Sequence, residues 1–436
     1  MNKFYEIFEI MGRRFMFFPT SMMLFESNKN IEEIIKTGFM SEDDNLTDDV
    51  KHLVEIEKQT QKCLQQVKPF SNQINSIQIN MINACNMRCK YCFADNGTHH
   101  KNNVMTESQA KLIIEYAFQN IKENMLSVVV IGGEPMLNMP IFEYILKYCR
   151  KKAQEKKVKV RFATTTNGTL IDEANLQLLD SYDVVAMVSQ DSCDKNINDH
   201  LRSMADDKLS QFEILKEKKK LFLNSNKKRA VHITVTPFNK KFAETAIQLY
   251  KEGFYHVHLD FVKSNMPEFK FEQADINLLK DQFDILTNYI LKCIDNDKVI
   301  NCHPLTDDIK RIHCRIPRIH KCNVLDGLYA FSPEGTIYPC DVLMYEEYEI
   351  GNIYSGINEE KIDNMRKNTS VLEECSNCWI RYICGGKCLA EVLNNAEEND
   401  NFICSIRRHM VKLTLYLYYY IQKENPNYLK NYLNEK

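Results

Sequence analysis

A chain of 436 residues is too long for one typical core and suits two or three domains, and its 44% hydrophobic and 26% charged residues are those of an ordinary soluble globular protein. The formal charge of -3 and pI near 6.4 exclude a global basic field of the kind that draws nucleic acid, and no local basic patch replaces it. The longest apolar stretch, Val411 to Ile421, is broken by Lys412 and is far too short to span a bilayer.

Cysteine is the outlier. Sixteen cysteines without a signal-like N-terminus argue against a secreted disulfide framework and for metal binding in a reducing cytoplasm. In chain order, Lys3 to Ile10 and Arg14 to Phe18 are aromatic-rich strand candidates joined by the turn Met11-Gly12-Arg13, and Met22 to Glu26 supplies a third strand. A helix from Ile31 to Thr37 follows, then a solvated acidic run from Ser41 to Asp49, whose last acids start a helix from Val50 to Val67 that Pro69 ends. Residues 1–75 therefore read as a small α+β domain with exposed strand edges, to which an extended peptide can add as a strand. The same stretch also fits a packing extension of the next domain.

The strand-like run Ile77 to Ile82 leads into Cys85-Asn86-Met87-Arg88-Cys89-Lys90-Tyr91-Cys92-Phe93. Three thiolates can hold three corners of a [4Fe-4S] cube, whereas ordinary cubes take four cysteines. The trio closes with no fourth cysteine before Cys149, which leaves one iron open to a substrate or cofactor.

From 76 to about 300 the pattern alternates strand and helix. Strands are expected at Ile77 to Ile82, Ser127 to Ile131, Val158 to Thr165, Asp183 to Val188, Ala230 to Val235 and His256 to Phe261, with helices between them and a last one from Gln273 to Asn296. Six such units make an α/β fold with a parallel sheet, doubly wound or curled into an incomplete barrel, and either places its chemistry at the carboxyl ends of the strands. The cysteine trio follows the first strand, Gly132-Gly133-Glu134-Pro135 the second, Thr165-Thr166-Asn167-Gly168 the third and Ser189-Gln190-Asp191 the fourth. Alone each would be an ordinary turn. Together they converge on one rim, where Gly132 and Gly133 let backbone approach a ligand and Glu134 offers a carboxylate to an ammonium group.

The last third, 301–436, holds Cys322, Gly335 and Cys340, then Cys375-x2-Cys378-x5-Cys384-x3-Cys388 and Cys404. CxxC followed by two more cysteines could be a zinc ribbon, but seven cysteines do not divide into closed zinc sites. Cys63, Cys149, Cys193 and Cys293 lie in or beside helices and read as small core residues. Asp341, directly after Cys340, is either a general base or an acceptor of a backbone hydrogen bond.

The CxxxCxxC, Gly-Gly-Glu-Pro and Thr-Asn-Gly motifs resemble those of the radical S-adenosylmethionine (SAM) superfamily, whose fold is a partial (β/α)6 TIM-like barrel. The resemblance implies that Cys85, Cys89 and Cys92 hold a cube whose open iron is chelated by SAM. It implies further that Gly132, Gly133 and Glu134 bind the methionine amino group while Asn167 and Ser189 line the rest of the pocket. An electron from a flavodoxin or ferredoxin would then cleave SAM to a 5′-deoxyadenosyl radical. Two departures stand out: Ser192 replaces the glycine of Ser-x-Asp-Gly, and Asn198-Asp199-His200-Leu201-Arg202 only approximates the usual His-Asp-x-x-Arg.

The late cysteines resemble the SPASM extension, which binds two auxiliary [4Fe-4S] clusters. That resemblance assigns Cys322, Cys340 and Cys388 to the first, with Cys314 as the upstream fourth ligand and Cys302 behind it, and Cys375, Cys378, Cys384 and Cys404 to the second. It also assigns Asp341 the base role held at this position in anaerobic sulfatase maturases. The 75 residues ahead of the barrel resemble the winged-helix-like leader-recognition domain of peptide maturases. The implied enzyme captures a ribosomally made, cysteine-rich precursor peptide by its leader and forms thioether crosslinks of the sactipeptide or ranthipeptide type. Alternatives are formylglycine generation or carbon–carbon crosslinking on the same scaffold, and a zinc or iron-sulfur redox module with no SAM chemistry.

Overall fold

The structure is a computed structural model that describes residues 4–40, 48–66, 73–121, 124–224, 227, 229–264, 266–368, 373–388, 390, 392 and 400–435. The expected acidic loop up to residue 47 and the helix stop at Pro69 lie outside these residues. The N-terminal segment is a three-stranded antiparallel sheet, β1 (Glu6–Ile10), β2 (Arg13–Phe18) and β3 (Met23–Glu26), followed by helices Lys29–Met40 and Asp48–Gln65. Ile10 pairs with Arg13 across Met11 (φ 51°) and Gly12 (φ 71°), the two left-handed residues that a tight hairpin turn needs.

Successive side chains of a strand point to opposite faces, and β2 is buried on both. Met16 and Phe18 form a small core with Met23 and Ile35, against which Phe39 and Leu53 of the two helices pack. Phe15 and Phe17 face the other way: Phe17 meets Trp379, and Phe15 meets Tyr416 and Tyr419. The N-terminal sheet is thus packed on the cysteine-rich end of the chain, 360 residues away in sequence, a contact with no local signal.

The remaining strands are β4 (Ser76–Asn80), β5 (Met87–Cys89), β6 (Met125–Ile131), β7 (Lys159–Thr166), β8 (Val185–Ser189), β9 (Arg202–Met204), β10 (Ala230–Val235), β11 (His256–Phe261), β12 (Asn301–His303), β13 (Leu328–Phe331), β14 (Thr336–Tyr338), β15 (Gly351–Asn352) and β16 (Gly356–Ile357). All but β5 and β9 form one large sheet in the order β12-β11-β10-β8-β7-β6-β4-β13-β14-β15-β16. From β4 to β12 every pairing is parallel and runs sequentially to one side, which is the winding of a barrel wall and not of a doubly wound sheet.

The six expected strands are all present. The structure adds β12 beyond the last of them, and on the opposite side of β4 adds β13 in parallel, then β14 to β16 in antiparallel. At two to four residues each, these additions are too short for hydrophobic alternation to register. Intervening helices start where side chains cap them: Thr106 with Gln109 in a reciprocal capping box, Asp172 on the Asn175 amide and Ser210 on the Glu213 amide. The apolar run at Val411 to Ile421 lies in helix Asp400–Glu424, where Leu413, Leu415, Leu417 and Ile421 are fully buried. Among the described residues no helix is long and apolar enough to cross a membrane.

Candidate active site and iron-sulfur ligands

The three early cysteines sit in the loop leaving the carboxyl end of β4, and backbone contacts hold that loop. The Gly133 amide donates to the Ile82 carbonyl and the Glu134 amide to that of Ala84, both at 2.9 Å. A side chain at Gly133 would place its Cβ 2.2 Å from the Ala84 oxygen, and one at Gly97 would place its Cβ 2.5 Å from the Gly133 Cα. Only two glycines permit this interlock of the second strand end with the cysteine loop. A second fastening is the antiparallel pairing of β5 with β9, which places Cys89 opposite Arg202.

Glu134 is buried, and its carboxylate binds three donors: the Met136 amide at 3.0 Å, the Thr166 hydroxyl at 2.7 Å and the Asn167 amide at 2.7 Å. It thereby braces the ends of β6 and β7. Asn167 donates through Nδ2 to Asn86 Oδ1 at 2.8 Å and reaches the Cys85 sulfur at 3.9 Å. Ser189, buried at the end of β8, accepts at its carbonyl from Gln211 Nε2 at 2.9 Å.

Burial governs the charge state of these sulfurs. Burial pushes the Cys85 thiol up to about 11 and that of Cys89 to about 12, so both keep their protons at neutral pH until a metal displaces them. Donors face them: the Met87 amide lies 3.4 Å from the Cys85 sulfur and Arg202 Nη1 lies 4.0 Å from that of Cys89. Among the described residues no cysteine belongs to a group with donor atoms within 4.8 Å of one another, as one ion would need.

The later cysteines gather in two places. Cys375, Cys378, Cys384 and Cys404 share one neighbourhood in which each influences another's charge, with Arg381, Lys387, Arg407 and Arg408 around them. Cys388 lies within electrostatic reach of both Cys322 and Cys340, and Lys263 Nζ stands 3.8 Å from its sulfur. Cys314 is exposed at the end of helix Ile309–His313, beside Arg315 and Tyr418, while Cys302 is fully buried near Tyr250. Of the other thiols, Cys149 and Cys293 are core residues, Cys193 is half-buried and Cys63 is exposed.

Asp341 donates its amide to Gln78 Oε1 at 3.0 Å, and burial raises its carboxyl above the usual range while Gln78 and Lys263 pull it back. Both sequence-based possibilities for Asp341 use its carboxylate, which accepts hydrogen bonds from Gln78 and from the Val342 backbone amide. Its amide is occupied with β4, and its carboxylate faces Lys263 beside the Cys322, Cys340 and Cys388 group.

Comparison with known proteins finds one family model that matches part of the chain. Residues 79–222 match the model of the radical SAM superfamily. The chain carries a radical SAM domain. It is 24% identical over 363 residues to the radical SAM cyclopropyl synthase TigE of Paramaledivibacter caminithermalis, spanning 78% of this chain and 74% of that one. It is 23% identical over 348 residues to a cysteine-type anaerobic sulfatase-maturating enzyme of Clostridium perfringens strain 13, spanning 73% and 90%. Among solved structures, native anSMEcpe with bound AdoMet superposes with a TM-score of 0.65 at 20% identity, covering 80% of this chain and 99% of that one. Streptococcus suis SuiB bound to S-adenosylmethionine superposes with a TM-score of 0.52 at 17% identity, covering 88% and 94%. Residues 79–222 thus carry a radical SAM domain, in a chain similar to a cyclopropyl synthase and to sulfatase-maturating enzymes.

Within the radical SAM domain the two departures have structural answers. Ser192 is buried, its φ is not in the left-handed region, and Asn198 Oδ1 accepts its amide at 3.4 Å and that of Asp191 at 3.0 Å. Asp199 is a brace, binding Lys195, Ser210 and the Phe212 amide. Arg202 belongs to a second assembly, beside the cysteine loop. Its Nε donates to Asp191 Oδ2 at 2.9 Å, the Tyr91 hydroxyl donates to the same oxygen, and the guanidinium lies over the Tyr91 ring at 5.6 Å.

Arg202 and Asp191 expose 8% and 0% of their side chains, so this pair is buried between β8 and the cysteine loop. Removing one member of a buried pair strands the other charge. Arg202→Ala is therefore expected to cost about 3–5 kcal/mol in anaerobic urea unfolding, and an Arg202→Met, Asp191→Leu double variant to recover part of it. A loss below about 1 kcal/mol would show that the pair behaves as a surface ion pair does.

Proposed function

We propose that this radical SAM enzyme forms cysteine sulfur-to-carbon thioether crosslinks in a ribosomally made, cysteine-rich precursor peptide. Residues 1–75 recognise the leader, 76–300 form the radical SAM partial barrel, and 301–436 are a SPASM-type region with two auxiliary [4Fe-4S] clusters. Cys85, Cys89 and Cys92 hold the SAM-binding cluster. Gly132, Gly133 and Glu134 meet the methionine ammonium of SAM, and Asn167 and Ser189 line the pocket. When bound, the cluster and SAM supply a 5′-deoxyadenosyl radical that removes a hydrogen atom from a peptide carbon.

Each crosslink costs the peptide two hydrogens. One would leave as an atom and the other as a proton, for which Asp341 is the base; a cluster held by Cys322, Cys340 and Cys388 would supply the acceptor for the remaining electron. Cys314 stands upstream of that group as its candidate fourth ligand, and without it one position there is open to a substrate thiolate. Arg381, Lys387, Arg407 and Arg408 near the other four cysteines favour an anionic cluster there. A flavodoxin or ferredoxin provides the starting electron.

The N-terminal sheet carries the peptide reading. The outer edge of β3 has no strand neighbour among the described residues, and exposed Phe25, Ile31 and Ile34 flank it at 43%, 40% and 47%. An extended leader can pair with this edge through its backbone and seat apolar side chains beside it. On the opposite face the sheet rests on Trp379, next to Cys378, so a bound leader would be delivered close to the cysteine-rich segment. SuiB, one of the structural neighbours, has been solved bound to its precursor peptide SuiA.

An apolar anchor is worth about 1.5–3 kcal/mol, so Phe25→Asp and Ile34→Asp are each expected to raise KM for a full-length precursor about 10–100-fold. SAM cleavage without peptide should be unchanged, and unimpaired precursor turnover in both variants would rule out leader capture at β3.

The likeness to the Clostridium perfringens enzyme, over 90% of that chain, favours a second reading in which the product is formylglycine on a sulfatase. Mass spectrometry of the product separates the readings. A thioether removes two hydrogens and consumes a thiol, carbon–carbon crosslinking removes two hydrogens and spares the thiol for alkylation, and formylglycine replaces the thiol by an aldehyde.

A further inference from the structure

On the inner face of the barrel wall, three adjacent strands place histidines side by side. Val231, Ile233, Val257, Leu259 and Cys302 join the core behind the sheet, so their alternating neighbours face the opposite side. His232 of β10 pairs in register with His258 of β11, and His258 with His303 of β12. Asp260 lies two residues beyond His258 on the same face. Its Oδ2 stands 3.0 Å from His258 Nε2 and 3.5 Å from His232 Nε2. Among the described residues this is the one group of three whose donor atoms all lie within 4.8 Å of one another.

We propose that His232, His258 and Asp260 form a site for a divalent transition-metal ion inside the barrel. Metal bonds of about 2.0–2.1 Å at tetrahedral angles place ligand atoms about 3.3 Å apart, and the two measured separations bracket that value. Two imidazoles and one carboxylate are a donor set for zinc or ferrous iron that leaves coordination positions open. A second observation points to the same spot. His303 stacks on His258 with ring centroids 4.1 Å apart at 7°, and its Nδ1 lies 2.5 Å from Asp307 Oδ2.

Asp307 therefore holds one side of the His303 ring, and the ring Nε2 lies 4.0 Å from Asp260 Oδ1 on the other. His303, held by Asp307, packs flat on His258 and so fixes the plane of that ring. Asp260 exposes 49% of its side chain and the three histidines 20–26%, so the group is not sealed in packing. His232 is also the register partner of Ser189, which places the ion beside the proposed SAM pocket. An open position there can bind a donor atom of the substrate. The inference holds whichever substrate the enzyme takes.

The test uses the full chain, reconstituted anaerobically with its clusters, treated with a chelator, equilibrated with zinc and desalted. Zinc is counted by elemental analysis and its ligands are read by X-ray absorption at the zinc edge, which the iron does not obscure. Wild type is expected to retain one more zinc per chain than Asp260→Asn or His258→Ala, with nitrogen and oxygen ligands at about 2.0–2.1 Å and no sulfur at about 2.3 Å. Asp307→Asn, a change at a partner of His303 and not at one of the three ligands, should keep the stoichiometry. The near-isosteric Asp260→Asn guards against misfolding, with iron content equal to wild type as its control. Equal zinc in wild type and Asp260→Asn, or a zinc shell made of sulfur, would overturn the site.

Discussion

Cys89→Ala is expected to abolish 5′-deoxyadenosine formation and to lower bound iron from about twelve to about eight per chain, one cube of three being lost. The thiol is placed by the pairing of β5 with β9, a backbone ladder that alanine preserves, so the loop should keep its path. What disappears is the sulfur facing Arg202, and with it one of three corners of the cube. Cys85→Ala and Cys92→Ala should behave alike. Cys149→Ala, in the buried face of helix Met139–Lys156, should change neither readout. Anaerobic reconstitution, iron analysis and chromatographic detection of 5′-deoxyadenosine measure both effects. Retained SAM cleavage in Cys89→Ala would remove the assignment, and stoichiometric zinc with about four irons in wild type would contradict three cubes.

The parts of this site legible in the sequence are those that punctuate a strong local pattern. Cys85, Gly133, Asn167 and Ser189 each end an apolar strand, so their convergence follows from parallel strand order alone. The Tyr91, Asp191 and Arg202 assembly was not legible as one unit. Its members are up to 111 residues apart in sequence and meet only because β9 crosses the cysteine loop. Nor could spacing place Trp379 beneath Phe8 and Phe17, because each of these residues sits in a locally ordinary aromatic stretch. The histidine row is different. His256, His258 and Asp260 alternate along β11, and a period of two already assigns them to one face. What the period does not supply is the register that brings His232 and His303 to either side.

Asp341→Asn is expected to separate two activities that run together in the wild type. If Asp341 takes the proton that leaves as the substrate radical is oxidised, the amide should lower crosslink formation about 10²–10⁴-fold, the usual worth of a positioned base. SAM cleavage precedes that proton transfer and occurs at the other cysteine set, so 5′-deoxyadenosine should continue to form and accumulate in excess of product. The variant tests the side chain alone. Asparagine keeps the shape of aspartate, and the backbone amide of residue 341 still donates to Gln78 Oε1 at 3.0 Å. Iron content should therefore stay at the wild-type level, which excludes loss of the neighbouring Cys340 ligand as the cause. Lys263→Met supplies a contrast, because Lys263 lies against both Cys388 and the Asp341 carboxylate without being able to accept a proton while charged. It should slow product formation far less than Asp341→Asn. Equal uncoupling in the two variants would mean that the local charge matters and the carboxylate is not the base, whereas full coupling in Asp341→Asn would leave the carboxylate only its role as a backbone hydrogen-bond acceptor.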